Sequence, residues 1–115
     1  LGGGNVPKPA IVQEVSFPVP PPRATDPAAA VRGEVLYNRY CSRCHQFGRG
    51  LLPDLRRMSP QTHTLFSEIV LRGAYLPKGM ARWDDVLSPP DAEAIHAFII
   101  EQAWRAHDAE QATKQ

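Results

Sequence analysis

Cys41, Cys44 and His45 form the run Cys41-Ser42-Arg43-Cys44-His45, and the chain's two cysteines both lie in it. Two thiols separated by two residues can add to the two vinyl groups on one edge of a haem, giving thioether bonds. The adjacent imidazole then lies under the porphyrin, within reach of the iron as proximal ligand. A prosthetic group bonded in this way does not diffuse off, which suits repeated gain and loss of an electron. Two other chemistries use similar spacings. A redox dithiol of the thioredoxin kind sits in a strand–helix unit, whereas this motif follows a helical pattern. A structural zinc site needs four ligands at short spacings, and no second Cys/His pair supplies them. The motif therefore points to one covalent haem c.

A second axial ligand is expected from Met80, in Tyr75-Leu76-Pro77-Lys78-Gly79-Met80-Ala81. Pro77 and Gly79 mark a loop, and a loop can lay a thioether over the open haem face. Histidine–methionine ligation raises the reduction potential and fills both axial positions. Met58, just before a helix start, is the competing thioether and reads as ordinary packing, the common role of a lone methionine. His63, His96 and His107 fall on helical stretches and read as packing or surface residues.

Three main helices position these groups, and no strand pattern competes, so the expected fold is all-α. The first helix starts at Asp26-Pro27, a cap followed by proline, and carries Val31, Val35 and Leu36 toward Tyr40 and the haem motif. The second starts at Ser59-Pro60, carries Leu65, Phe66, Ile69 and Val70, and closes at Gly73. The third starts at Ser88-Pro89-Pro90-Asp91, where Asp91 suits a capping-box return and the helix dipole. Its apolar residues are Ile95, Phe98, Ile99 and Trp104.

The chain has 115 residues, at most one domain. Residues 1–24 hold Gly2-Gly3-Gly4, Pro7, Pro9, Pro18 and Pro20-Pro21-Pro22 without helical or alternating pattern. They read as a linker or a strap along a surface. Residues 25–107 form the expected compact unit, and 108–115 a C-terminal tail. About 80 residues make a small core, and a bound haem would add a large apolar centre that favours the folded state. No stretch is apolar enough over sufficient length to span a membrane. No signal peptide opens the chain. Thioether haem is normally attached after export, so a processed protein or a piece of a longer polypeptide is expected.

The formal net charge is only +1, but it is unevenly spread. Arg32 to Arg82 carries nine Lys/Arg against Glu34, Asp54 and Glu68, while acids prevail from Trp83 onward. A basic haem-bearing half would steer an acidic partner. The charge is no continuous tract and no recognition motif accompanies it, which argues against nucleic-acid binding.

With these residues in place, the compact part resembles a class I cytochrome c domain. Gly33 stands eight residues before Cys41 and Tyr37 four before it, where that family crosses its first and last helices. Ile95 and Phe98 are in the matching register on the last helix. A narrower resemblance rests on Leu51-Leu52-Pro53-Asp54-Leu55-Arg56, on Gly79-Met80-Ala81-Arg82-Trp83-Asp84-Asp85-Val86-Leu87-Ser88, and on Asp91-Ala92-Glu93-Ala94-Ile95-His96-Ala97-Phe98-Ile99. These runs are similar to the C-terminal haem domain of quinohaemoprotein alcohol dehydrogenases, whose main domain is a β-propeller holding pyrroloquinoline quinone (PQQ).

The resemblance implies an electron-transfer domain that makes no substrate bonds itself. Its donor would be a PQQ-dependent dehydrogenase domain, its acceptor a small redox protein or oxidase, and its location the periplasm. It implies further that the Pro53 carbonyl accepts from the far nitrogen of His45, that Trp83 packs near the haem or a propionate, and that Arg56 or Arg57 pairs with a propionate. Ala81 departs from the pattern, standing where many small cytochromes have proline. Two other functions fit the motif: a free-standing cytochrome serving another oxidoreductase, and a peroxidase-like or gas-sensing haem with an open sixth position.

Overall fold

The computed structural model describes residues 16–41, 54–73 and 83–114. Among these residues the regular structure is entirely helical. The elements are α1 (Pro27–Tyr40), a 3-10 turn (Leu55–Arg57), α2 (Pro60–Thr64), α3 (Phe66–Leu71) and α4 (Pro89–Thr113).

Local signals start each long helix. The Asp26 carboxylate accepts from the Ala28 amide at 3.0 Å, and Pro27 follows it. Ser88 and Asp91 form a reciprocal capping box, the Asp91 carboxylate accepting from the Ser88 amide at 3.0 Å and the Ser88 hydroxyl from the Asp91 amide at 3.3 Å. Each arrangement satisfies amides that have no partner within the first helical turn.

The second expected helix is two helices. Its start at Ser59-Pro60 is as expected, with the Ser59 hydroxyl accepting from the Thr62 amide. The chain then departs from helical geometry at Leu65, with φ −93° and ψ 7°. The Leu65 amide is shared between the Gln61 and Thr62 carbonyls, a tightening that ends α2 and turns α3. The break lets His63 on α2 and Phe66 on α3 both become buried. Gly73 closes α3 with φ 71°, a left-handed conformation that costs glycine little.

The core forms where α1 crosses α4. A Cβ atom placed on Gly33 would collide with the Ala94 carbonyl, so only glycine admits this approach. One turn along each helix, Tyr37 meets Phe98 with ring centroids 5.3 Å apart and planes tilted by 52°. Ile95 and Ile99 are completely buried beside them, joined by Phe66, Val70, Leu87 and Ala92. Burial holds the Tyr37 phenol protonated well above the usual tyrosine range, with the Cys41 thiol and Asp54 carboxylate adding to the shift and Arg56 opposing it.

On the far side of the same core, His63 Nδ1 and His96 Nε2 are 2.8 Å apart. Their ring centroids lie 5.1 Å apart with planes 22° from parallel, so the bond runs nearly in line, edge to edge. One ring donates and the other accepts. His96 also stacks on Phe66, with centroids 4.5 Å apart and planes within 8°. Burial pushes His96 down to about 4, with His63 adding to the effect, and burial lowers His63 as well.

Residues 16–24 are extended and lie along α4. The Trp104 indole donates to the Pro21 carbonyl at 2.7 Å, and the Phe17 amide donates to Glu110 Oε1 at 3.0 Å. Arg23 bonds Glu101 at 3.0 Å and lies over the Trp104 ring. Pro20 is buried. Lys114 reaches the Ser16 hydroxyl at 2.9 Å. α4 accordingly continues through 108–113, where the sequence suggested only a tail; these segment contacts engage its last turns.

Two substitutions test this packing. Gly33→Ala should separate α1 from α4 and cost roughly 3 kcal/mol or more, the upper range for overpacking a tight contact, read as a fall in the urea midpoint. His96 supplies a pH dependence. Between the ordinary 6.5 and about 4, the unfolded chain holds a proton that folded His96 refuses. Stability should therefore fall as pH drops through that window, by about 1.4 kcal/mol per pH unit from this residue. Urea titrations across the window should show a shallower pH slope for His96→Gln than for the wild-type chain.

Candidate functional site

α1 ends where the chemistry begins. Cys41 is its C-terminal cap, and its amide donates to the Tyr37 carbonyl at 2.8 Å. The helix thus delivers the first cysteine of the C-x-x-C-H run directly from the crossing that buries Gly33 and Tyr37. Cys41 is half-buried and packs against the core. Cys44, His45 and Pro53 lie in 42–53 and Met80 in 74–82, outside the described residues.

The ends of these two segments are described, and residues at each end pack against one core cluster. The first segment leaves at Cys41 and rejoins at Asp54 and Leu55. The second leaves at Gly73, just past Leu71, and rejoins at Trp83. Cys41, Leu55, Leu71 and Trp83 are all half-buried against one core cluster, together with Leu36, Tyr40 and Met58. The Trp83 amide donates to the Val70 carbonyl at 2.8 Å, pinning the second segment's return to α3. The Tyr40 and Trp83 rings, 5.8 Å apart and tilted by 57°, join the end of α1 to that return. The segments expected to carry the ligands His45 and Met80 therefore both start and end beside half-buried residues of one apolar cluster, which we call their base.

The residue types of that base suit an apolar group. Its side chains are aliphatic and aromatic, and it adjoins the cysteine of an attachment motif. Cys41 would take one thioether there, and Trp83 packs on the same core cluster. Bound haem would supply a one-electron iron centre.

Arg56 is engaged by its neighbour. Its guanidinium forms a forked pair with Asp54, the shortest contact 2.7 Å, and its amide donates to the same carboxylate at 3.0 Å. Asp54 thus caps the 3-10 turn and orients Arg56 at once, a role the sequence reading missed. The aspartate two residues before the arginine was the available signal. Arg56 and Arg57 both lie over the Phe17 ring, with guanidinium carbons 5.3 and 3.9 Å from its centroid.

Met58 caps the end of the 3-10 turn and is half-buried on the cluster, as the packing role required. His63 and His96 belong to the packing between α2, α3 and α4. Their in-line bond aims the two nitrogens at each other and offers no common point to an ion. Among the described residues, no group of three or more His, Cys, Asp or Glu is gathered to hold a metal, and no helix is long and apolar enough to cross a membrane.

Comparison with known proteins agrees with this arrangement. The profile of the family described as cytochrome C oxidase, cbb3-type, subunit III matches residues 28–99. Quinohemoprotein alcohol dehydrogenase ADH IIB of Pseudomonas putida is 36% identical over 111 residues, covering 94% of this chain and 16% of that protein. The dehydrogenase subunit of the alcohol dehydrogenase (quinone) of Acetobacter aceti is 36% identical over 104 residues, covering 87% of this chain and 14% of that subunit. A solved structure of quinohemoprotein alcohol dehydrogenase ADHIIG from Pseudomonas putida HK5 superposes with a TM-score of 0.78 at 35% identity, over 88% of this chain and 15% of that one. The chain thus spans about a sixth of the length of these relatives.

The profile match takes in Gly33, Ala94 and the residues around their crossing, together with the whole attachment motif. A cytochrome c domain implies haem c and electron transfer. The chain belongs to the cytochrome c family, as a cbb3-type domain whose relatives are the cytochrome c domains of quinohemoprotein alcohol dehydrogenases.

Proposed function

We propose that this domain carries single electrons through one haem c, bonded to Cys41 and Cys44 and held at the iron by His45 and Met80. The observation that carries the reading is the half-buried apolar base at which both ligand-bearing segments begin and end. Cys41 and Cys44 would tether the porphyrin, and His45 would be oriented by the Pro53 carbonyl. Met80 would close the sixth position and raise the potential. Trp83, in tilted ring contact with Tyr40, would form part of the haem wall. Arg56, already oriented by Asp54, would present its guanidinium toward a propionate.

The donor in this reading is the reduced quinone cofactor of an attached PQQ-dependent alcohol dehydrogenase domain. The acceptor is a small redox protein or an oxidase, and the setting is the periplasm. Support comes from the relatives, which are named as quinohemoprotein and quinone-linked alcohol dehydrogenases. The domain tunes and positions its prosthetic group and makes no substrate bonds itself. The excess of basic residues between Arg32 and Arg82 would guide an acidic partner toward the haem.

The visible spectrum of the haem-loaded protein, oxidised and reduced, with and without carbon monoxide, tests the ligand set. A low-spin reduced form that ignores carbon monoxide is expected; rapid binding would move the open-site, sensing or peroxidase-like reading to the front. Met80→Ala should open the iron to carbon monoxide and lower the potential markedly. An unchanged spectrum and potential would remove Met80 from the iron. Cys41→Ala or Cys44→Ala should leave at most one thioether, seen in the mass of the haem-bearing peptide.

A further inference from the structure

His63 and His96 line a surface cleft of about 470 Å3 together with Pro60 and Thr64 of α2 and Val19, Pro20 and Pro21 of the extended 16–24 strap. Apart from the two imidazoles, none of these side chains titrates. Phe66 of α3 stacks on His96. On α4 itself, Glu93 stands one turn before His96 and is exposed. The facing nitrogens of the pair bond each other at 2.8 Å. The outer ones, His63 Nε2 and His96 Nδ1, bond to no described residue, and no buried side-chain nitrogen among those residues lacks a partner. Both outer nitrogens are therefore within reach of water, and so of protons.

The neutral pair suits this place. One ring donates, the other accepts, and neither brings charge beside the proline wall. An added proton makes the pair cationic where burial already penalises charge. That charge is relieved by admitting water, and the surrounding elements resist this unequally. α2, α3 and α4 are hydrogen-bonded helices packed on one another. The strap is held by the Phe17 amide on Glu110, the Pro21 carbonyl on the Trp104 indole, Ser16 on Lys114 and the partly exposed pair of Arg23 and Glu101. Such exposed ion pairs contribute little. A segment held by a few bonds of this kind opens at lower cost than a packed helix. The strap is the wall that yields first.

We propose that His63 and His96 form an acid-sensitive latch on the 16–24 strap: the neutral pair lets the strap close beside it, and a proton taken up by the pair releases the strap from α4. Neither histidine is among the proposed haem ligands, and the latch goes beyond the electron-transfer reading without resting on it. The closed state refuses a proton that an opened, hydrated pair accepts at the ordinary value of 6.5. Opening is therefore favoured as pH falls below that value, by up to about tenfold per pH unit for one histidine. Glu101, Asp108 and Glu110 of α4 also hold the strap. Carboxylates protonate in stronger acid than imidazoles, so the two causes separate along the pH axis.

The test is hydrogen exchange in the haem-loaded full chain, followed by NMR from about pH 7.5 to about pH 5, above the usual carboxylate range. Rates are expressed as protection relative to the unstructured group at the same pH. Protection of the Trp104 indole and the Phe17 amide should fall below pH 6.5 by up to about tenfold per unit. The Ile99 amide, in the buried part of α4, should keep its protection. His96→Gln should lose most of the response, and Glu110→Gln should retain it. Wild-type protection that stays flat overturns the proposal. So does an undiminished acid response in His96→Gln, which would assign it to the carboxylates. A fall at Ile99 in step with Trp104 also overturns it, since the pair would then govern the whole fold. His63→Gln carries the same comparison if His96→Gln folds poorly.

Discussion

The close approach of α1 to α4 at Gly33 is the constraint on which the rest of the structure depends. With the Gly33 backbone against the Ala94 carbonyl, Tyr37 and Phe98 come into ring contact one turn further along. The same crossing fixes the end of α1 relative to the core. Cys41 caps that end, so the attachment motif inherits its position from a helix contact eight residues upstream. A side chain at position 33 would move the helix axes apart and displace the cysteine with them. The interhelical approach set by a missing Cβ is thus part of the site, although Gly33 carries no reacting group.

The two segments proposed to carry the ligands have different anchors on the core cluster. The first starts at the cap of α1 and ends at a turn stabilised by Asp54, which accepts from the Arg56 amide and clasps its guanidinium. The second starts beyond the left-handed Gly73 and is returned to α3 by the bond from Trp83 to Val70. Tyr40 and Trp83 then bring one anchor of each segment into direct aromatic contact. Charge and apolar surface are arranged together here. The pair of Asp54 and Arg56 sits at the edge of a patch otherwise built from aliphatic and aromatic groups, a combination suited to a group with an apolar body and acidic rim.

The opposite end of the core solves another problem. His63 and His96 enter a poorly hydrated place, and each satisfies a polar nitrogen through the other. Their neutral forms are favoured because burial penalises charge. Over the same region passes the proline-rich segment, with Val19, Pro20 and Pro21 beside the histidine pair in a surface pocket. Proline suits this course, since a segment lacking amide donors can cross a helix face without leaving them unpaired. Its Pro21 carbonyl and Phe17 amide are taken up by Trp104 and Glu110 of α4.

Much of this was legible in the amino-acid order because the signals are local. Asp26-Pro27, Ser59-Pro60 and Ser88-Pro89-Pro90-Asp91 announce helix starts through bonds made within three residues. The spacing from Gly33 and Tyr37 to Cys41 carried the crossing through family resemblance, and C-x-x-C-H pointed to haem c by residue type alone. What escaped depends on long-range contacts. The break at Leu65 serves the burial of His63 and Phe66 against a helix thirty residues away in sequence. The continuation of α4 through 108–113 accompanies contacts made with the far end of the chain. The contact of Arg56 and Arg57 with the Phe17 ring has no local signal either, since it joins distant parts of the chain. A sequence determines which groups are present and how each short run prefers to bend. Only tertiary structure decides which distant runs share a surface, because those contacts are settled by the packing of the whole chain.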